Sequence, residues 1–192
     1  MNSPMEIVLA TKEHLLELME QDRSYEIDMM YSISQKSDTF TISETKLEPP
    51  VVNPSENYKG PLECVEQLSD SNYMIYVARS NNETMGYCNA HWEFKSYGKK
   101  LVIDGIFSSK HARGRGVASM LVQKFIEIGK LDNDCLGVHV EMDTTKYHAI
   151  KMLLQNGFVF AGTEFYVWHD EAPDRLSKEV LYYYYKIRTR KV

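Results

Sequence analysis

The sequence predicts an α+β fold: a central mixed, mostly antiparallel sheet of about seven strands with helices on both faces. Three observations carry this. Short apolar or alternating runs bounded by turn residues recur along the chain, and helical stripes fall between some of them without a regular strand-helix repeat. Three of the runs, between residues 73 and 108, follow one another through short turns, which makes them antiparallel neighbours.

At 192 residues the chain has the length of one ordinary domain and can bury a core without metal or disulfide staples. We expect a single domain over 1–192, with an inserted hairpin and Pro-rich loop at about 24–61. A hydrophobic share of 43% is ordinary for a folded protein, and the net charge of -5 argues against nucleic acid as a partner. Cys64, Cys88 and Cys135 are odd in number and lack a C-x-x-C pairing, so they read as reduced core thiols. No segment approaches the ~20 apolar residues of a membrane span, and the N-terminus lacks a cationic start before an apolar run. The expected location is cytoplasmic, with no membrane partner.

Taken in order, "MEIVLA" is a short strand, and Thr11 stands where an N-cap belongs for a helix carrying Leu15, Leu16, Leu18 and Met19. "YEIDMMYSI" and "TFTISET" flank the turn-like "SQKSD" as a hairpin. The stretch "PPVVNPSENYKGP" reads as a loop, because proline cannot supply ladder hydrogen bonds. "LECVEQLSD" is a short helix, followed by the strands "YMIYVAR", "MGYCNAHWEF" and "KLVIDGIFSS". The helix "GVASMLVQKFIEIGK" repeats apolar residues at Val117, Leu121, Phe125 and Ile128 and is expected to end near Gly129. "CLGVHVEM" is a strand, "TKYHAIKMLLQNGF" a helix closing at Asn156 and Gly157, and "FVFAGTEFYVWH" and "EVLYYYYKI" are final strands. The tyrosine run Tyr182 to Tyr185 reads as a strand packed on both faces or as a sheet edge at a subunit contact, which leaves a homodimer among the expected states.

The stretch "KHARGRGVAS", residues 110 to 119, concentrates Lys110, Arg113 and Arg115 with two glycines directly ahead of a helix. It lacks the G-x-x-x-x-G-K-[ST] of a Walker loop, since Val117 and Ala118 follow Gly116, and a dinucleotide fingerprint would need a glycine where Ser119 stands. A solvated basic loop is the plainer reading. Its position argues for more: a helix start presents unpaired N–H groups, glycines let the backbone turn them towards an anion, and small Ala118 permits close approach.

Arg113, Gly116 and Ala118 in "RGRGVA" match the Q/R-x-x-G-x-G/A coenzyme A motif, and with "GVHVEMD" and "AIKMLLQNGF" behind them the chain resembles the GCN5-related N-acetyltransferase (GNAT) family over residues 70 to 188. "TFTISET", "IDGIFSS", "VHVEMD" and "EVLYYYYK" look most like streptothricin acetyltransferases. The resemblance implies a GNAT fold and direct acetyl transfer from acetyl-CoA, as cosubstrate, to an amine, without a protein nucleophile or a metal. It implies that Arg113, Gly114, Arg115, Gly116, Val117, Ala118 and Ser119 surround the pyrophosphate, and that Ile106, Phe107 and Ser108 lie beside the pantetheine arm. Asp104, the ionisable residue inside "LVIDGIF", becomes the expected base for the substrate ammonium, with a solvated strand aspartate as the alternative. Glu141 is expected to hold a cationic substrate; with His139 alone it does not make a metal site. Glu44, Glu48 and Glu56 suit the same acceptor. The family's usual acid is a tyrosine four residues before the glycine of "GF", and its usual asparagine lies near the start of that helix. Those positions carry Leu153 and Lys146 here. Tyr147, six positions before Leu153, is rotated well away on a helix of 3.6 residues per turn and cannot simply substitute. Water, Tyr166 or the tyrosine run would have to serve, or the thiolate is not efficiently protonated. The expected function is acetylation of a primary amine on a small cationic molecule, such as an aminoglycoside- or streptothricin-like antibiotic. A CoA-binding regulatory module with weak or no catalysis and a protein N-acetyltransferase are the alternatives.

Overall fold

The structure, a computed structural model, describes residues 4–53, 60–96, 98–164 and 179–188. β1 (Glu6–Leu9) leads into α1 (Lys12–Glu20), whose N-cap is Thr11 as expected. The Thr11 hydroxyl accepts the His14 N–H at 3.4 Å and His14 Nδ1 accepts the Thr11 N–H at 3.2 Å, a reciprocal cap with histidine in the place usually held by glutamate. β2 (Tyr25–Lys36) and β3 (Thr39–Asn53) form a separate two-stranded sheet, the expected hairpin. After α2 (Gly60–Gln67) come β4 (Tyr73–Ser80), β5 (Glu83–Lys95) and β6 (Gly98–Ser108). A 3-10 turn at Lys110–Ala112 precedes α3 (Val117–Leu131); β7 (Cys135–Asp143), α4 (Tyr147–Gln155), β8 (Val159–Glu164) and β9 (Val180–Lys186) complete the order.

The main sheet has seven strands in the order β1-β4-β5-β6-β7-β9-β8, antiparallel except where β6 and β7 run parallel. The alternation of β4 divides the core between its faces. Ile75 and Val77 pack with Leu15, Leu18, Cys64, Tyr87 and Phe107 under α1 and α2. Ala78 and, on β6, Leu101 and Ile103 pack with Leu121, Val122, Phe125 and Ile150 under α3 and α4. Each such aliphatic or aromatic side chain contributes about 1.5–3 kcal/mol by leaving water. Helices therefore cover both faces, as the sequence predicts.

Three local expectations are corrected. Part of the Pro-rich segment is strand: β3 reaches Asn53, and residues 47–50, Pro49 and Pro50 included, fall in the register skip between the pairs Ile27↔Val51 and Met29↔Lys46. Proline is accommodated there because no ladder hydrogen bond is asked of it. α3 continues past Gly129 to Leu131, and Gly129 serves packing, since a Cβ on it would lie 2.6 Å from Ile187 Cδ1. The tyrosine run is not a sheet edge, because β9 lies between β7 and β8. Glu56, Tyr166 and the end of "FVFAGTEFYVWH" lie outside the described residues.

Candidate active site

The site begins as a separation of two strands. β6 and β7 are paired from Lys99↔Cys135 to Ile103↔Val140; beyond this β6 continues to Ser108 on β5 alone, and β7 continues to Asp143 on β9 alone. Asp104 sits at the parting. The β5–β6 register shifts between Asn89↔Gly105 and Ala90↔Ile103, so Asp104 is the extra residue of a β-bulge, a feature that bends and twists its strand. The edge of β6 from Gly105 to Ser108 thus faces a cleft instead of a neighbouring strand.

The cleft has a volume of about 960 Å³. It is lined by Asp104 to Ser108 from β6, Glu141 to Asp143 from β7, the loop and first turn of α3, Arg23 ahead of β2 with Tyr25 and Glu26 at its start, and Lys146 to Ala149 from α4. The structure therefore brings together Asp104, Glu141, Ile106, Phe107, Ser108, Arg113, Gly114, Gly116, Val117, Ala118 and Ser119; Arg115 does not line it.

At the α3 end, Ser109 is buried and fixes the loop through its Oγ–H, donated to the Met85 carbonyl at 2.8 Å. Gly114 and Gly116 have φ of +73° and +81°, left-handed values that cost other residues about 1–2 kcal/mol. Gly116 is the N-cap of α3 and supplies no side-chain cap, so the first-turn amides point into open space. The Arg113 and Arg115 amides donate within the loop, to the Lys110 and Ala112 carbonyls at 3.4 and 3.3 Å. Ser119 Oγ donates to Asn156 Oδ1 at 2.8 Å, joining α3 to the end of α4. Of the loop's charges, Lys110 is paired with Asp22 at 2.9 Å and His111 lies 3.1 Å from Glu83. Arg113 faces the cleft, its pKa lowered by burial against the opposing pull of Asp22 and Tyr25.

Asp104 has a side chain about one-third exposed (32%) and lies with Oδ2 2.8 Å from His91 Nδ1. Burial raises its pKa; the His91 hydrogen bond and charge act in the opposite direction. Glu141 is exposed on the cleft side of β7, and Glu26 and Asp143 add two more carboxylates to the lining. His139, on the same face of β7 as Glu141, stacks on Tyr182 at 5.5 Å and does not line the cleft. Burial and Lys100 lower its pKa. Among the described residues no group of three or more His, Cys, Asp or Glu side chains is placed to hold a metal.

The hairpin is pinned to α4. Glu44 accepts from the Tyr147 hydroxyl at 2.9 Å and from Lys151 at 2.5 Å, and His148 Nε2 lies 3.0 Å from Asp28. Glu48 pairs with Lys46 on the hairpin itself. Leu153 is fully buried in the core. Lys146 lines the cleft at the N-cap of α4, beside Tyr25. His91, Glu26, Asp143 and Tyr25 escape sequence reasoning because they converge from three separate elements, β2, β5 and β7; the alternation of β2 and β5 signals strands but not which side chains meet.

The sequence profile of the acetyltransferase (GNAT) family matches residues 28–158. The chain belongs to that family. No curated protein sequence matches this acetyltransferase, but solved structures do. A nourseothricin acetyltransferase superposes with a TM-score of 0.77 at 17% identity, covering 96% of this chain and 99% of that one. A protein from Bacillus anthracis str. Ames assigned as a streptothricin acetyltransferase, in complex with acetyl coenzyme A, gives 0.76 at 20% identity over 95% and 99%. The ribosomal-protein-S18-alanine N-acetyltransferase from Escherichia coli gives 0.63 at 9% over 98% and 97%. At such identities the likeness is one of fold, and the GNAT fold is the one described above. Acetyl-CoA is the donor of the family, and this cleft fits it: an uncapped helix start suits the pyrophosphate, and a Cβ added at Gly114 or Gly116 would meet nothing within 4 Å, so the loop is open to a ligand. No described helix is long and apolar enough to cross a membrane.

Proposed function

We propose that this acetyltransferase moves the acetyl group of acetyl-CoA directly to a primary amine of a small cationic molecule, with streptothricin-like antibiotics as the acceptor class to try first. The observation that carries the reading is what one cleft combines: the uncapped α3 start and Arg113 suit an anion, while Glu26, Asp104 and Glu141, with Asp143 beside Lys146, suit an acceptor bearing more than one ammonium.

In this reading the amides of Gly116 to Ser119 hold the pyrophosphate, and the open edge of β6 from Ile106 to Ser108 lies along the pantetheine arm as an added strand would. A β6 amide faces the carbonyl oxygen, where negative charge develops; such a donor is commonly worth a few kcal/mol. Asp104 takes the ammonium proton and His91 offers it a path to solvent, since its side chain is partly exposed. Glu141 and Glu26 orient the acceptor. Cys64, Cys88 and Cys135 are free and buried, and burial pushes Cys64 up to about 12, so none is a nucleophile. Free thiols and a CoA thioester donor both fit work in the cytoplasm.

The test is thiol release from acetyl-CoA in the presence of a panel of amines that includes streptothricin, nourseothricin, aminoglycosides and an alanine-ended peptide. Release with a polyamino antibiotic supports the reading. Release with the peptide alone moves the chain to protein acetylation, and acetyl-CoA binding without release on any acceptor makes it a CoA-binding module.

A further inference from the structure

Leu153 is fully buried, so α4 offers no proton donor from the position where the family resemblance expects one. The described cleft contains another candidate. Tyr25, the first residue of β2, lines the cleft and receives two hydrogen bonds on its phenolic oxygen, from Asn53 Nδ2 at 2.7 Å and from the Lys146 ammonium. A phenolic hydroxyl can accept and donate at the same time. With Asn53 and Lys146 both donating to the Tyr25 oxygen, its O–H is turned to donation.

The surroundings fix its direction of use. Lys146 Nζ lies 4.2 Å from the centroid of the Tyr25 ring and 4.0 Å from Asp143 Oδ2, so the cation is held between the hairpin and the end of β7. Arg113 lines the same cleft as Tyr25. The phenol, the open edge of β6 and the loop before α3 thus line one cleft, with Lys146 and Asp143 beside the phenol. Asn53, its cross-strand partner in the hairpin register, ties that position to the β2–β3 pairing.

We infer that Tyr25 is the acid that protonates the departing CoA sulfur. This rests on the reading of the cleft as the acetyl-CoA site. As the amine nitrogen forms its bond to the acetyl carbon, the C–S bond breaks and its electron pair stays on sulfur. The Tyr25 O–H proton moves to that sulfur, giving the thiol. The Lys146 ammonium returns a proton to the phenolate and is itself reprotonated from water, its side chain being 31% exposed. The acceptor ammonium gives up two protons, one to Asp104 before attack and one to solvent as the amide forms; the sulfur gains one through Tyr25 and Lys146, so each turnover yields amide, thiol and one released proton.

The experiment does not need the natural acceptor. Affinities of CoA and desulfo-CoA are measured by calorimetry at pH 8.5 for the wild type, Tyr25→Phe and Lys146→Met, with thermal unfolding as the control for folding. A hydroxyl donating to sulfur makes the wild type prefer CoA over desulfo-CoA, and Tyr25→Phe should cut that preference about tenfold while leaving desulfo-CoA affinity within about twofold. Lys146→Met, which keeps the hydroxyl but removes the charged donor behind it, should fall between the two. With an acceptor from the amine panel, Tyr25→Phe should also lower kcat by about 10²-fold with little change in KM for acetyl-CoA. An equal CoA preference in wild type and Tyr25→Phe overturns the assignment. Failure of the wild type to bind either ligand overturns the reading of the cleft, and the assignment with it.

Discussion

His91 and Asp104 meet across β5 and β6, Nδ1 to Oδ2 at 2.8 Å, and Tyr73 on β4 packs its ring 5.4 Å from the imidazole. The bulge that opens the cleft is also what frees Asp104 from the regular ladder. Because burial raises the Asp104 pKa, the carboxylate stops accepting protons at a pH above that of an ordinary aspartate, and turnover should fall on the acid side from there. His91→Ala removes the hydrogen bond that opposes the rise, so the acid limb of the kcat profile should move to still higher pH. Asp104→Asn should lower turnover at neutral pH about 10²-fold with acetyl-CoA affinity nearly unchanged. A pH-rate profile left unaltered by Asp104→Asn would remove it from the role.

At Gly116, space and conformation make separate demands. The left-handed φ of +81° penalises any side chain, but a Cβ there meets nothing. Gly116→Ala should weaken acetyl-CoA binding modestly, by the ~1 kcal/mol of backbone strain. Gly116→Glu adds a negative charge at the start of α3 and should abolish binding, measured by calorimetry. Similar affinities for the two variants would contradict the pyrophosphate assignment.

Much of the fold and the cofactor loop is legible in the sequence, because their signals are local. Strand alternation, the Thr11 cap, the "NGF" helix stop and the glycine spacing before α3 all lie within a few residues. What is not legible depends on long-range register. Pro49 and Pro50 read as loop because nothing local reveals that the hairpin skips them, and Gly129 reads as a helix stop because Ile187, its reason for being glycine, lies far along the chain. His91 reaches Asp104, and Tyr25 reaches Lys146, only after the sheet and hairpin are assembled.

Gly86 on β5 supports the site from behind. A Cβ there would stand 2.3 Å from the Phe107 carbonyl oxygen and 3.1 Å from Ser108 Cα, both backbone atoms of the strand that borders the cleft. Gly86→Ala must therefore displace β6 at its open edge. We expect a loss of about 1–3 kcal/mol, read as a fall of several degrees in Tm, together with weaker acetyl-CoA binding. A lower Tm with unchanged affinity would separate this stretch of β6 from the cofactor.

The clamp between the hairpin and α4 should depend on pH. Glu44 has its pKa lowered by hydrogen bonds from Lys151 and Tyr147, and Asp28 by one from His148. A depressed folded-state pKa means that the contribution is fully present above the unfolded value and is lost as pH falls through the folded one. Both acids are exposed, so global stability should change little. Hydrogen exchange of the β2 and β3 amides should nevertheless quicken below about pH 4 relative to the main sheet, and Glu44→Gln should produce the same loosening at neutral pH. Equal protection across that range would leave the hairpin held by its apolar contacts alone.

Leu153→Tyr places the family's usual acid back at its sequence position, and the packing argues that it fails. Leu153 is fully exposure-free in the core shared with Ile150, Leu121 and Phe158, whereas the cleft is lined on this helix by Tyr147, His148, Ala149, Met152 and Gln155. Met152 and Leu153 are separated by ~100° around the helix, enough to divide a cleft side chain from a core one. A tyrosine at 153 must enlarge a filled site and find a partner for its hydroxyl there, at a cost of about 1–3 kcal/mol. We therefore expect a lower Tm and no gain in kcat, and no recovery of turnover when the change is made in the Tyr25→Phe background. Recovery in that background would place residue 153 at the sulfur and withdraw Tyr25 from it.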